Sequence, residues 1–356
     1  MSRQRPMTLP SSGFALGTFS AAGRSPFPAL VVHERVAPLQ ALTPIFDRLG
    51  CPALVFGSIL ELLQDWEPNF EALRRAADFL ASEGVQEEPW RSIFLPSDQL
   101  RFHPPVDLPR QLFCAGANYR KHVIDLIVDQ AAGAFRDQTP EERRAQAAKL
   151  MDDRVAHGAP FVFSKPISAI VGPYDPVVLP RHASQPDWEL ELAAIIGKPA
   201  RHVRREEALD CVAGYTIVND ITNRDLVFRK DSGAMGADWI AAKGSPSYLP
   251  TGPYLVPAAF VSDPQNLQIT LKLNGQVMQD ESTADMIFGV ARIIEFLSTY
   301  AQLWPGDLIA TGSPAGNGTH YNRFLKPGDI MEGSITGLGV QSNRCVAEEA
   351  ATDVAN

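Results

Sequence analysis

The stretch that most limits how this chain folds is Pro186-Asp187-Trp188-Glu189-Leu190-Glu191-Leu192-Ala193-Ala194-Ile195-Ile196-Gly197. Its second half is apolar and partly β-branched, and Gly197-Lys198-Pro199 stops the run, so it reads as a strand. Side chains at i and i+2 of a strand share a face. Glu189 and Glu191 therefore project together, while Trp188 and Leu190 face the other way. Two neighbouring carboxylates beside an apolar run repel each other and resist desolvation, and a hard divalent cation is the usual compensation. The alternative is an edge strand with both glutamates in water. Other segments have to supply the missing parts.

The 356 residues suffice for one large domain or two, at roughly 100–200 residues each. A net charge of −9 and a pI near 5.3 argue against a nucleic-acid or anionic-membrane partner, both of which need a basic face. An anionic substrate then requires local positive charge, from a bound cation and a few Lys or Arg. No apolar run reaches the roughly 18–20 residues of a membrane span. The basic start, Met1 to Pro6, is not followed by the apolar core of a secretory signal. Cys51, Cys114, Cys211 and Cys345 form no CxxC pair and read as reduced thiols of a cytoplasmic protein.

Residues 1–10 read as a loose tail, followed by two strands (Gly13 to Phe19, Pro28 to Val32) and helical spacing over Ser58–Ala81, broken near Pro68. Proline-rich Leu100–Pro109 reads as a linker, which predicts a small N-terminal α/β domain over 1–105 and a catalytic domain over 106–356. The small domain has no cluster of His, Asp or Glu and reads as a packing or dimer-forming unit. Thr139-Pro140-Glu141-Glu142 is a helix start signal. It predicts a helix over Pro140–Ala156 inside a 126–160 segment that is either a lid or a surface insertion. Leu267 to Gln279, with Asn274-Gly275 at its turn, reads as a β-hairpin. Phe288 to Ala301 reads as an amphipathic helix. Many short strands, Gly/Pro turns and few helices predict an α+β, mainly β catalytic domain, a sandwich or rolled mixed sheet.

Four segments carry candidate chemistry. His122 and Asp125 share one face if 118–125 is helical, and a carboxylate beside an imidazole makes a general base. Asp220, just past the strand Gly214–Val218, is placed as a third oxygen ligand. Arg224 offers a bidentate fork for a substrate carboxylate; an N-cap with an internal Arg–Asp pair explains the same residues. Lys243, among small and apolar residues, either presents its amine to a pocket or is a solvated loop lysine. The glycines after Thr311 let backbone approach a small ligand.

Taken in order, these pieces closely resemble the fumarylacetoacetate hydrolase superfamily. The motifs are Asn118-Tyr119-x-x-His122-x-x-Asp125, Phe163-x-Lys165-Pro166, Glu189-x-Glu191-Leu192-Ala193, Asn219-Asp220-Ile221-Thr222-x-Arg224-Asp225, Ala242-Lys243-Gly244, Thr311-Gly312-x-Pro314-x-Gly316 and Lys326-Pro327-Gly328-Asp329. The resemblance covers about residues 110–348 and implies the family's mixed β-roll, usually a homodimer. It implies Glu189, Glu191 and Asp220 as ligands of Mg2+ or Mn2+, with Ca2+ a third candidate. It implies His122 as general base aided by Asp125, catalytic Lys243, and substrate contacts from Arg224, Thr311 and Tyr119. Two departures stand out. Asp125 replaces the family's usual Glu, and Val227 stands where many members have Gln, which suggests a less polar substrate or a different contact, from Arg229 for example.

The implied reaction is metal-dependent hydrolysis of a C–C bond in an acylpyruvate-like or other 1,3-dicarbonyl 2-oxo acid. The rival reading is a lyase, decarboxylase, tautomerase or hydratase acting on a 2-oxo diacid such as oxaloacetate. A non-catalytic, metal-stabilised binding protein is the reading from another class.

Overall fold

Three antiparallel strands, Ala15–Ser20, Phe27–Val32 and Arg35–Pro38, open the described chain. We describe residues 13–349, apart from 53, 55–56, 83–87, 131–134, 229–230 and 232–235, from a computed structural model. The expected tail over 1–10 lies outside the described residues. The segment expected to be a linker instead supplies a fourth strand, Arg101–His103, paired with Thr18–Ser20. The prolines that suggested a linker follow this strand rather than interrupt it, and Phe102 buries its ring edge-on against Phe19 at 4.8 Å.

Helices Ile59–Leu63 and Trp66–Ser82 cover this sheet. The break between them falls before Pro68, which sits in the first turn of the second helix, where its missing N–H costs nothing. Leu16, Leu30 and Leu73 share a core with Ile195, Ala213 and Leu255 of the larger portion. Leu16 and Leu255 also exchange backbone hydrogen bonds of 2.9 and 2.8 Å.

The larger portion is built on two sheets. The central sheet orders its strands Val256–Pro257, Val212–Asn219, Leu190–Ile196, Leu308–Ala310, Leu112–Gly116 and Phe161–Ser164. Leu308–Ala310 lies between two strands made much earlier in the chain, antiparallel to one and parallel to the other. The second sheet runs Gln276–Ser282, Gln268–Leu273, Ile330–Ile335, Gly339–Ala347 and Val177–Leu179. Asn274 and Gly275 form the expected hairpin turn, both with positive φ. The sheets approach closely at Gly333, where a Cβ would stand 2.5 Å from Leu190 Cδ1. The fold is α+β, as expected, and does not alternate strand and helix.

The amphipathic helix forms over Val290–Tyr300 and the insertion helix over Pro140–His157. The insertion helix starts on a capping box: Glu142 N–H donates to the Thr139 hydroxyl and the Glu142 carboxylate accepts from Thr139 N–H. It buries Ala147 and Met151 and packs on the helix Arg120–Gln130. Among the described residues no helix is long and apolar enough to cross a membrane.

Candidate metal centre and active site

The acidic stretch is two strands rather than one. Pro186–Asp187 and Leu190–Ile196 are separated by Trp188 and Glu189, which leave the ladder. Side chains take over there: Glu189 N–H donates to Asn219 Oδ1 at 2.8 Å and Leu190 N–H to Gln279 Oε1 at 3.2 Å. The alternation survives the break. Trp188 is buried, its indole N–H donating to Gly316 O at 3.0 Å, while Glu189 and Glu191 face one cleft. Asp220 ends the neighbouring strand and its N–H donates to Glu189 O at 2.8 Å. One carboxylate oxygen from each of Glu189, Glu191 and Asp220 lies within 4.8 Å of the others. The three acids predicted from separate segments therefore meet, and all are buried.

Cations surround them. Lys243 closes the short helix Trp239–Lys243. It is buried rather than solvated, its Nζ donating to Asp220 Oδ2 at 2.6 Å, Thr222 Oγ1 at 2.7 Å and Glu189 Oε2 at 2.8 Å. Lys165, to which the sequence reading assigned no role, is buried and donates to Asp220 Oδ1 at 2.7 Å and Tyr248 O at 2.8 Å. Arg224 donates through Nε to Asp187 Oδ2 at 2.8 Å and through Nη2 to Glu189. Asp187 is fully buried and also accepts from the N–H and hydroxyl of Thr319, each at 3.1 Å. Arg224 thus has two of its donors held by protein acids, closer to the internal Arg–Asp pair than to the free substrate fork that the sequence also allowed.

The electrostatics are uneven. Burial opposes ionisation of Glu189, but the charges of Arg224 and Lys243 outweigh it and hold this carboxyl well below its ordinary range. Glu191 lacks that support. Burial, then repulsion from Asp220 and Glu189, pushes its carboxyl well up, and its hydrogen bond comes from Gly312 N–H at 2.7 Å. Gly312 reaches it with φ +97°, its Cα passing so near Asn118 that a Cβ would stand 2.9 Å from Asn118 Cβ. An all-oxygen donor set with one under-compensated carboxylate fits a hard divalent cation.

His122 lies on the helix Arg120–Gln130 and faces the same cleft. Burial drives its pKa down to about 4, so the ring is neutral at ordinary pH. Asn317 Nδ2 lies 3.5 Å from its Nε2. Asp125, the expected orienting acid, pairs instead with Arg144 of the insertion helix at 3.0 Å. Thr311 and Tyr119 are fully buried, and neither is among the residues that line the cleft. The Thr311 hydroxyl donates to Leu192 O at 2.8 Å, and its carbonyl accepts from Asn118 Nδ2 at 2.8 Å. Thr311 thereby supports the strand that carries Glu191. Arg229 lies outside the described residues.

The cleft has a volume of about 470 Å³, room for a ligand well beyond a three-carbon acid. Asp187 and Asn317 were missed by sequence reasoning. Asp187 stood within the acidic stretch, two positions before Glu189 and in the same i, i+2 series, but was not singled out. Asn317 follows the last glycine of its motif with no local signal.

A buried acid triad laced with lysines is thus faced by a neutral imidazole on a two-sheet scaffold. The chain belongs to the fumarylacetoacetate hydrolase family: residues 111–346 match the fumarylacetoacetate (FAA) hydrolase C-terminal domain. It is 34% identical over 291 residues to the mitochondrial oxaloacetate tautomerase of Bos taurus, covering 81% of this chain and 80% of that protein. It is 43% identical over 185 residues to the 2,4-didehydro-3-deoxy-L-rhamnonate hydrolase of Sphingomonas sp. (strain SKA58), 51% of this chain and 63% of that one. Among solved structures, the maleylpyruvate hydrolase of Sphingobium sp. SYK-6, in complex with manganese(II) and pyruvate, superposes with a TM-score of 0.65 at 27% identity. The match covers 94% of this chain and all of that one, at 100%.

Proposed function

We propose that the protein is a divalent-metal-dependent hydrolase that cleaves a C–C bond in an acylpyruvate-like 2-oxo acid. The observation that carries this reading is the neutral, buried imidazole of His122 facing the same cleft as the acid cluster. Glu189, Glu191 and Asp220 would hold Mg2+ or Mn2+, with Ca2+ the weaker candidate. When bound, the cation supplies positive charge that lowers the cost of forming an enolate.

The chain's own residues do the rest. His122 takes a proton from water, and the oxygen adds to the distal carbonyl carbon. The tetrahedral adduct collapses, the C–C bond breaks, and its electron pair becomes the enolate of the departing 2-oxo acid. The protonated His122 returns its proton to that carbon, and the distal acyl group leaves as a carboxylic acid. Lys243, ammonium at all working pH because Asp220 and Glu189 outweigh its burial, adds positive potential where the enolate charge develops. Arg224 holds Glu189 in place.

Oxaloacetate tautomerisation is the second reading, favoured by the bovine relative that covers four-fifths of both chains. There His122 would move one proton between carbon and oxygen with no water added, and decarboxylation would need no base at all. The two readings separate in one experiment, in which acylpyruvates and oxaloacetate are assayed in Mg2+ and Mn2+. Product acids, enol–keto exchange and CO2 are followed in parallel for wild type, His122→Ala and Glu189→Ala. Hydrolysis is expected to fall by about a hundredfold or more in His122→Ala, and to stop with chelator. Full hydrolytic activity in either variant would refute the assignment. The four free cysteines fit a reducing compartment, and we place the protein in the cytoplasm as a homodimer, to be checked by fractionation and light scattering.

A further inference from the structure

The cleft sorts substrates by the group at their far end. Its charged lining is Glu189, Glu191, Asp220, Arg224 and Lys243, three acids and two bases, with His122 neutral. Both bases are already bonded to acids. Behind the wall, Lys165 and Asp187 offset each other. With all three acids ionised as ligands, a divalent cation would leave the described lining one net positive charge. One substrate carboxylate satisfies it. Among the described lining residues a second carboxylate would find no further cation to pair with.

Away from the acids the wall is apolar. Phe163 and Trp239 stack at 4.5 Å with an interplanar angle of 12°. Lys243 Nζ stands 5.3 Å from the Phe163 ring centre. The stack therefore begins at the acid cluster, and Leu126, Val227, Phe228 and Phe324 continue the lining. Among the described residues, Gln185 is the one uncharged polar side chain in the lining with no hydrogen-bond partner. Its backbone is pinned on both sides, N–H to Asp225 Oδ1 at 3.2 Å and carbonyl to Arg224 N–H at 2.9 Å. Its amide is thus held at the wall with hydrogen-bonding capacity to spare.

We infer that the substrate's distal group is uncharged and apolar-faced, an aroyl or branched acyl group rather than a carboxylate, with the Gln185 amide hydrogen-bonding its carbonyl or hydroxyl. This rests on the reading of the acids as a metal site for a 2-oxo acid. Flat groups gain most, because they extend the Phe163–Trp239 stack.

The test is calorimetric binding to Mn2+-loaded protein, with phenylpyruvate and 2-oxoglutarate as probes of equal headgroup and opposite tail. Phenylpyruvate is expected to bind about tenfold tighter or more, a preference that Trp239→Ala erodes and Gln185→Lys reverses by adding a cation at the tail. The Lys variant, at a half-buried position, answers the question if the Trp239 variant does not fold. The turnover counterpart is a kcat/KM for benzoylpyruvate about tenfold above that for fumarylpyruvate. Equal or tighter binding of 2-oxoglutarate by wild type overturns the inference and leaves the metal-site reading standing. Mn2+ binding with neither acid bound overturns both.

Discussion

At the scale of single residues, the feature that sets the chemistry is the uncharged ring of His122. Its ordinary pKa of 6.5 falls to about 4 in the fold because burial disfavours the imidazolium. Between those values the unfolded chain binds a proton that the folded one refuses. The stability carried by the neutral ring is therefore complete above pH 6.5 and is lost as the pH falls towards 4. The metal-free protein is expected to lose up to about 3 kcal/mol across that window through this group. Denaturant titrations of wild type and His122→Phe, compared from pH 7 down to 4.5, check it: the variant's curve should be the flatter of the two. Parallel curves would show that the ring does not titrate as described. Asp125 acts on the ring only through its charge, which opposes the shift, because its carboxylate pairs with Arg144.

At the scale of elements, the insertion helix Pro140–His157 is tied down on the helix that carries His122. Arg120 pairs with Asp152 at 2.8 Å, and Arg154 donates to Ala117 O at 2.6 Å. Met151, 2% exposed, packs beneath. Met151→Ala is expected to cost about 2–4 kcal/mol. It should also speed amide exchange in Arg120–Gln130 before the rest of the fold opens, as read by hydrogen-exchange mass spectrometry. Unchanged exchange in that helix would show that the two elements are independent. This segment also shows what sequence can reveal. The capping box is local, so Thr139-Pro140-Glu141-Glu142 fixed the helix start to the residue. The Asn274-Gly275 hairpin and the glutamate pair were legible for the same reason, being written within a few neighbours. What was not legible is long-range. Nothing near Leu100–Pro109 announces that Arg101–His103 pairs with Thr18–Ser20. Nothing near Arg224 says that Asp187 occupies its Nε, and nothing near Lys165 says that it holds the far oxygen of Asp220.

At the scale of the whole molecule, the N-terminal sheet and the glutamate strand share one core. Leu255, fully buried, pairs its backbone with Leu16 and packs in the cluster that also contains Ile195, the residue four past Glu191. Leu255→Ala is expected to lower global stability by about 2–5 kcal/mol. The unfolding transition should stay single by calorimetry, because both portions lose the same packing. Separate N-terminal and C-terminal transitions would contradict a common core.

The place of Leu308–Ala310 in the central sheet has a consequence for the history of each molecule. This strand is slotted between Leu190–Ile196 and Leu112–Gly116, and the amide of Gly312 just beyond it steadies Glu191. A growing polypeptide on the ribosome therefore carries all three acids for some ninety residues of further synthesis (from Asp220 to Gly312) before the strand beside Leu190–Ile196 and the amide that bonds Glu191 have been made. Premature termination anywhere in that interval would leave a product with all three acids and without the amide that steadies Glu191.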